Sequence, residues 1–288
     1  MIELHFAGYQ PPRSVHTRAL YTLRDEVDRR AGGRFALRVT DNIVSLGRKA
    51  ADLLSMVESG ELDGCYFASS YLTARVPALE MFDRPFQAGP REEVFHGLDG
   101  ETGATVAAQV AAGTGFRVLG WWDNGIRHIS NGVRPIRTPA DCRGLRLRTL
   151  DNALHQAAFR RIGFQPQFVD VADLSRAVAE GEIDAQENPL TNMVNFDLHV
   201  HHKHVSLTGH LLGIALLLIN GARYETLPPD LRHVLDAAVS ESAAVQRAEA
   251  VAEDAKCLAV LADAGVSVIL REGLDVAAFR EAAIEQNA

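Results

Sequence analysis

The sequence predicts an α/β protein organised in two lobes, and three observations carry that prediction. Its 288 residues exceed what one hydrophobic core usually organises, so two domains of ordinary size or one large α/β unit are expected. Short apolar segments alternate with segments of helical periodicity along most of the chain, as βαβ units require. The stretch from Asp230 to Gly265 contains no Pro and meets no Gly before its last residue. As a helix it would run on the order of 50 Å at about 1.5 Å per residue, longer than the ~30 to 35 Å width of a domain of half this chain. It should therefore bridge two lobes.

Residues 2 to 8 read as a short strand ending at "GYQPP", where Pro11 and Pro12 cannot continue a ladder. Ser14 caps a helix in which Val15, Leu20, Leu23 and Val27 keep helical spacing as far as Arg30, and Gly32-Gly33 supplies a left-handed stop. A strand is expected at 34–40, a helix at 48–60, an extended segment at 62–68 and an Ala-rich helix at 92–112. Strands follow at 116–122, 126–130, 145–149, 165–169 and 183–187, with helices at 152–162 and 171–180 between the later ones. Residues 203–220 read as strand, and Pro228-Pro229 introduces the long helix.

Composition excludes several functions. The longest apolar stretch, Leu211 to Asn220, is broken by Gly213 and falls short of a membrane span of about 18 residues. A net charge of -8 with no Lys/Arg block opposes nucleic-acid binding. Only Lys49, Lys203 and Lys256 are lysines, a bias toward arginine that a skewed codon supply explains as well as a search for carboxylates. Cys65, Cys142 and Cys257 lie far apart without CxxC spacing, so three free, mostly buried thiols are expected. Met1 leads into a strand-like segment with no basic or apolar leader region, so the chain is read as cytoplasmic or as lacking a leader that has been removed.

No GxSxG elbow, P-loop or HExxH is present, and "GTGFRVLG" precedes a strand where a dinucleotide fingerprint would follow one. No catalytic residue, metal site or cofactor is assigned. "HVHHKH" crowds His199, His201, His202 and His204 into six positions, the one feature that would suit a metal-dependent enzyme. In an extended segment His202 and His204 would face one side, His199 and His201 the other, and no second block of ligands accompanies them. A surface histidine patch is the simpler reading.

Two segments speak to ligand binding. In "GLRLRTLDN", Leu145 and Leu147 face one side and Arg146 and Arg148 the other. Arginine holds a carboxylate in a two-pronged hydrogen bond, although a strand with a solvated polar side would show the same pattern. In "EIDAQENPLTN", Asn188 precedes Pro189 and is biased to extended backbone, placing it at a strand end where open α/β sheets commonly bind ligands.

The string "NGIRHISN…PIRTPADCRGLRLRT…IGFQPQFVDVADLSRAVAEGEIDAQENPLTN…VSLTGH…LPPDLRHVL" resembles the solute-binding subunits of tripartite ATP-independent periplasmic (TRAP) transporters, the DctP-like family, over nearly the whole chain. The resemblance implies a two-lobed periplasmic-binding-protein-like fold with hinge strands and a long helix along both lobes, closing on a small organic acid and delivering it to membrane permease subunits. It implies a periplasmic monomer. The lobes would be residues 1–122 with 211–250, and 123–210 with 251–288.

By position, Arg148 is similar to the family arginine that pairs with the ligand carboxylate, Arg127 to a second arginine of variable role, and Asn188 to an amide meeting the same carboxylate. Gln10 and Ser69 fall where members line the ligand's other end. Ala185 replaces the glycine usual in "GQENP", and Ser69 stands where sialic-acid-type members carry an acid. Gln10, Ser69, Asp151 and Asn192 suit hydroxylated acids, whereas Tyr9, Phe67 and Trp122 suit an aromatic or short hydrophobic one, and the choice stays open. A cytoplasmic or sensory binding protein of the same fold is the alternative reading.

Overall fold

The computed structural model describes residues 1–284 and divides into two compact units. Unit 1 comprises Met1–Ala78, Glu92–Asp123 and Ile214–Ala252, and unit 2 comprises Leu79–Arg91, Asn124–Gly213 and Glu253 onward. In chain order the elements are β1 (Ile2–Ala7), α1 (Val15–Ala31), β2 (Phe35–Thr40), α2 (Asp52–Ser59), β3 (Gly64–Ala68), α3 (Arg91–Leu98), α4 (Glu101–Thr114) and β4 (Phe116–Asn131). Then come β5 (Arg146–Thr149), α5 (Ala153–Ile162), β6 (Gln165–Phe168), α6 (Val171–Ala179), β7 (Ala185–Pro189), α7 (Leu190–Asn195), β8 (His204–Asn220), α8 (Gly221–Glu225), α9 (Pro229–Asp263), β9 (Ser267–Ile269) and α10 (Val276–Ala283).

In unit 1, β1 lies between β2 and β3 and parallel to both, and β3 pairs antiparallel with β8 through Gly64↔Ile219 to Ala68↔Ala215. Ser14 caps α1 as its position suggests, its Oγ accepting from the Thr17 amide at 3.1 Å, and Gly32 ends the helix at φ 57°. Glycine at 64 is required by packing: a Cβ there would lie 2.4 Å from the Phe6 ring and 2.5 Å from the Leu218 carbonyl oxygen.

Helical periodicity ran the segment 92–112 as one helix, but it is broken into α3 and α4 at Asp99-Gly100. The two fold tightly against each other, since a Cβ on Gly103 would lie 1.8 Å from the Leu98 carbonyl oxygen. Helix α2 begins at Asp52 and not at 48 because Gly47, at φ 79°, ends a 3-10 turn over Ile43–Leu46 just before it.

In unit 2, β5 is parallel to β6 and β7, β7 is antiparallel to β4, and β9 is parallel to β8. Leu147 and Ala185 from one side of this sheet join Ile129, Phe159, Phe86 and Phe279 in a core beneath α5 and α10. Two strands expected at 116–122 and 126–130 are one continuous β4, because Gly125 carries the chain through at φ 85° close to Pro189, where a Cβ would meet the proline ring at 2.7 Å.

Residues 79–91 were placed by sequence in the first lobe but group with unit 2. The reason is local: the Phe86 amide donates to the His210 carbonyl at 2.6 Å, and its ring joins the core with Phe159. The long helix exists as α9, 35 residues without interruption. Its residues 229–252 belong to unit 1 and 253–263 to unit 2, burying Leu231, Leu235 and Val239 in the first stretch and Cys257 and Leu261 in the second. Among the described residues, no helix is long and apolar enough to cross a membrane. All three cysteines are free and buried.

Candidate functional site

Strands β5 and β7 run parallel, with Arg148 opposite Gln186, so Arg148 and Asn188 both stand near the carboxyl ends of neighbouring strands. Leu147 turns to the core beneath α5, and the alternation of the strand sends Arg148 to the other face. Its side chain is 0 % exposed. Nε donates to the Val169 carbonyl at 2.9 Å, whereas Nη1 and Nη2 are buried without any acceptor from the protein. A buried cation with unmatched donors costs several kcal/mol unless a partner arrives. Arg146, two residues earlier, is solvated and spends its guanidinium on Asp184 at 2.9 and 2.6 Å.

Asn188 is buried with Gln186 and Asn192. Its Oδ1 accepts from Arg127 Nη2 at 3.3 Å and from Asn192 Nδ2 at 3.2 Å, and its Nδ2 donates to Gln186 Oε1 at 2.5 Å. Arg148, Asn188 and Asn192 therefore belong to one region of unit 2. Asp151 does not share their burial: it is exposed, and its neighbour Asn152 is the buried residue, capping α5 through the Leu154 and His155 amides.

Arg127 takes a different part. Its Nε and Nη2 grip Glu187 Oε2 and Oε1 at 2.6 and 2.8 Å, and Nη2 also reaches the Glu187 carbonyl at 2.6 Å. Glu187 is fully buried, receives Thr149 Oγ1 at 3.0 Å and lies 3.2 Å from His210 Nε2. Burial pushes the Glu187 carboxyl up, but Arg127 and His210 together outweigh it and hold the group well below the usual carboxylate range. Burial, opposed by Glu187, leaves His210 below its ordinary value.

Sequence reading did not single out Glu187. It also missed Asp83, whose Oδ2 accepts from Asn152 Nδ2 at 2.7 Å and whose Oδ1 lies 3.2 Å from His155 Nε2. The available signal for Glu187 was its position in a strand-like segment flanked by Gln186 and Asn188.

In unit 1, Gln10 and Ser69 are both buried. The Gln10 carbonyl accepts from Thr17 Oγ1 at 3.0 Å, and the Ser69 carbonyl receives the Leu72 amide at 2.9 Å in the 3-10 turn after β3. Around them is an aromatic assembly. Tyr9 meets Tyr66 and Phe67 at ring distances of 5.2 and 5.3 Å, Phe67 meets Tyr71 at 4.7 Å, and His16 stacks on Tyr66 at 5.1 Å. Burial, with a smaller contribution from Arg18, pushes His16 down to about 3.

The histidine run is not extended throughout. A 3-10 turn over Leu198–Val200 follows Asp197 in the left-handed region, so the expected two-sided alternation fails. His199 Nδ1 lies 3.3 Å from the Met193 carbonyl oxygen, His201 is exposed, and His202 is buried against Ser130 at 3.0 Å. Among the described residues, no three His, Cys, Asp or Glu side chains are grouped to hold a metal ion.

Two α/β units, one of them holding a buried guanidinium with open donors at the carboxyl ends of parallel strands, define a ligand-binding protein. The chain belongs to the DctP family, bacterial extracellular solute-binding protein family 7, whose model matches residues 6–287. It is 32% identical over 271 residues to a solute-binding protein of Verminephrobacter eiseniae, covering 94% of this chain and 79% of that one. It is 30% identical over 258 residues to the 2,3-diketo-L-gulonate-binding periplasmic protein YiaO of Escherichia coli, covering 90% and 77%. The TRAP periplasmic solute-binding protein of Polaromonas sp. JS666, solved bound to D-erythronate, superposes with a TM-score of 0.92 at 26% identity, over 98% of this chain and 92% of that one. The family is periplasmic and works with TRAP membrane permeases.

Proposed function

We propose that this chain is the periplasmic, monomeric receptor that captures a small organic acid by its carboxylate and hands it to TRAP permease subunits, with no bond made or broken. Arg148 carries the reading. A carboxylate entering a desolvated site loses its water, and a planar two-pronged donor offsets that loss; Nη1 and Nη2 of Arg148 are buried donors of that kind without a protein acceptor. Asn188 is the adjoining amide, and Asn192 supports it. Arg127 is read as a scaffold for Asn188, because its guanidinium is engaged by Glu187. Gln10 and Ser69 are proposed as ligand groups supplied by unit 1, and Asp151, being exposed, as a weak contributor.

The named ligands of the relatives, 2,3-diketo-L-gulonate and D-erythronate, are sugar acids, which favours a hydroxylated acid here. A thermal-shift screen over sugar acids, hydroxy acids and dicarboxylates should find one that raises the melting midpoint by mass action. With that acid, isothermal titration of Arg148→Ala should show no measurable binding while circular dichroism stays native. Affinity within a few-fold of the unsubstituted protein would refute the assignment.

A further inference from the structure

One member of the histidine run is tied to the amide at the carboxylate site. Asn192 Nδ2 donates to Asn188 Oδ1 at 3.2 Å, Asn188 Nδ2 to Gln186 Oε1 at 2.5 Å, and Gln186 Nε2 to Ser130 Oγ at 2.6 Å. Ser130 Oγ lies 3.0 Å from His202 Nδ1. All five side chains are buried. Ser130 and Gln186 face each other across the β4–β7 ladder, so the strand register itself places the hydroxyl under the amide.

The chain of bonds runs head to tail, each group accepting at one end and donating at the other. Ser130 Oγ accepts from Gln186 and has one proton of its own to place, and His202 Nδ1 at 3.0 Å is the nitrogen positioned to take it as an unprotonated acceptor. Burial first, and His201 second, push His202 down to about 4 against the opposing pull of Asp184, so the ring is neutral at ordinary pH with its proton on Nε2. Were Nδ1 protonated, Ser130 Oγ would accept from both neighbours, its own proton would lose the histidine as acceptor, and the chain that ends at Asn188, where Arg127 Nη2 donates to Oδ1 at 3.3 Å, would lose its anchor at this end.

We infer that His202, acting through Ser130 and Gln186, is a positioning residue for Asn188: by accepting the Ser130 proton it anchors the far end of the hydrogen-bond chain, while Arg127 holds the Asn188 oxygen, so that the Asn188 nitrogen is kept in place for an incoming carboxylate. This rests on the reading of Arg148 and Asn188 as carboxylate ligands. It gives the run "HVHHKH" a function that requires no metal.

Two measurements test it, and the first needs no ligand. Nitrogen-15 NMR of histidine-labelled protein at pH 7 should show His202 with Nδ1 unprotonated, and a protonated Nδ1 would overturn the inference even if the carboxylate site is right. The second uses as probe whichever of D-erythronate, D-glucuronate and succinate gives the largest thermal shift. His202→Phe should weaken its binding about tenfold, the size of one lost buried hydrogen bond. His202→Asn, whose amide oxygen can replace the acceptor, should restore affinity to within a few-fold whatever its melting midpoint. Equal affinity in the two variants, or affinity that merely follows the midpoint, would reduce His202 to a packing role. If Arg148→Ala binds the probe normally, the carboxylate assignment fails while the tautomer result still stands on its own.

Discussion

Arg148 on β5 and Arg127 on β4 are both buried in unit 2, yet their surroundings are opposite. Arg127 is matched by the Glu187 carboxylate at 2.6 and 2.8 Å, with Thr149 and His210 on the same carboxylate. Arg148 has a single carbonyl on Nε and nothing on its other two nitrogens. Desolvation penalises each cation, but in the first the cost is offset within the fold, and in the second no protein acceptor meets Nη1 and Nη2. On the proposed function, the contrast separates an arginine that builds the site from one that meets the ligand. Unit 1 buries no arginine among its described residues, and its interior around Tyr9, Tyr66 and Trp122 is aromatic with a neutral His16. Under the proposed function, recognition of the ligand's charge falls to unit 2.

The sharpest way to break the contrast is Glu187→Gln. Removing one partner of a buried pair leaves Arg127 uncompensated, and urea denaturation at pH 7 should record a loss of about 3 kcal/mol or more. A loss under about 1 kcal/mol, the value of an exposed pair, would mean that Arg127 is not paid for by Glu187. Because the folded Glu187 carboxyl lies below its unfolded value of 4.5, its contribution is complete above that pH and disappears as the pH falls further.

His16 supplies the corresponding effect in unit 1. Its folded value of about 3 lies below the unfolded 6.5, so the unfolded chain binds the extra proton between those limits. Stability is full above pH 6.5 and declines as the pH falls toward 3, by about 2 kcal/mol at pH 5 from this group alone. His16→Phe, which keeps a ring against Tyr66, should flatten the decline between pH 7 and 5; an unchanged slope would place the acid sensitivity in the buried histidines of unit 2.

Arg148→Met should stabilise the unliganded protein by about 1 kcal/mol, since an apolar side chain carries no unmatched donors. A comparable fall in the melting midpoint would show that Nη1 and Nη2 are satisfied within the fold. Arg146→Ala, on the same strand, is expected to be the mildest change. Its pair with Asp184 is 43 % exposed on the arginine side, so the cost should stay below about 1 kcal/mol with binding unaltered.

Arg146 and Arg148 also show how far the sequence could be read. Period-two alternation put both on one face of a strand, and could not say that one ends in solvent and the other under a complete cover, because burial is decided by what β6, β7 and the Val169 turn bring over that face. Ser14, Gly32 and the uninterrupted α9 were legible because capping, left-handed stops and the absence of Pro and Gly are local signals. The split at Asp99-Gly100 and the continuity of β4 were not, since the first depends on Gly103 packing against Leu98 and the second on pairing with distant strands. Strand alternation and the proline after Asn188 brought Arg148 and Asn188 forward, and family resemblance gave them their roles. Glu187 and Asp83 were invisible because a buried carboxylate is recognised only by partners far along the chain, at Arg127 and at Asn152.

The central claim, that the Arg148 guanidinium is the anchor for an organic anion, is tested most directly by a crystal structure of the protein with its acid bound. Carboxylate oxygens within hydrogen-bond distance of Nη1 and Nη2 of Arg148, with Arg127 still on Glu187, are the expected result. An acid held elsewhere, with Arg148 making no contact to it, would contradict the claim.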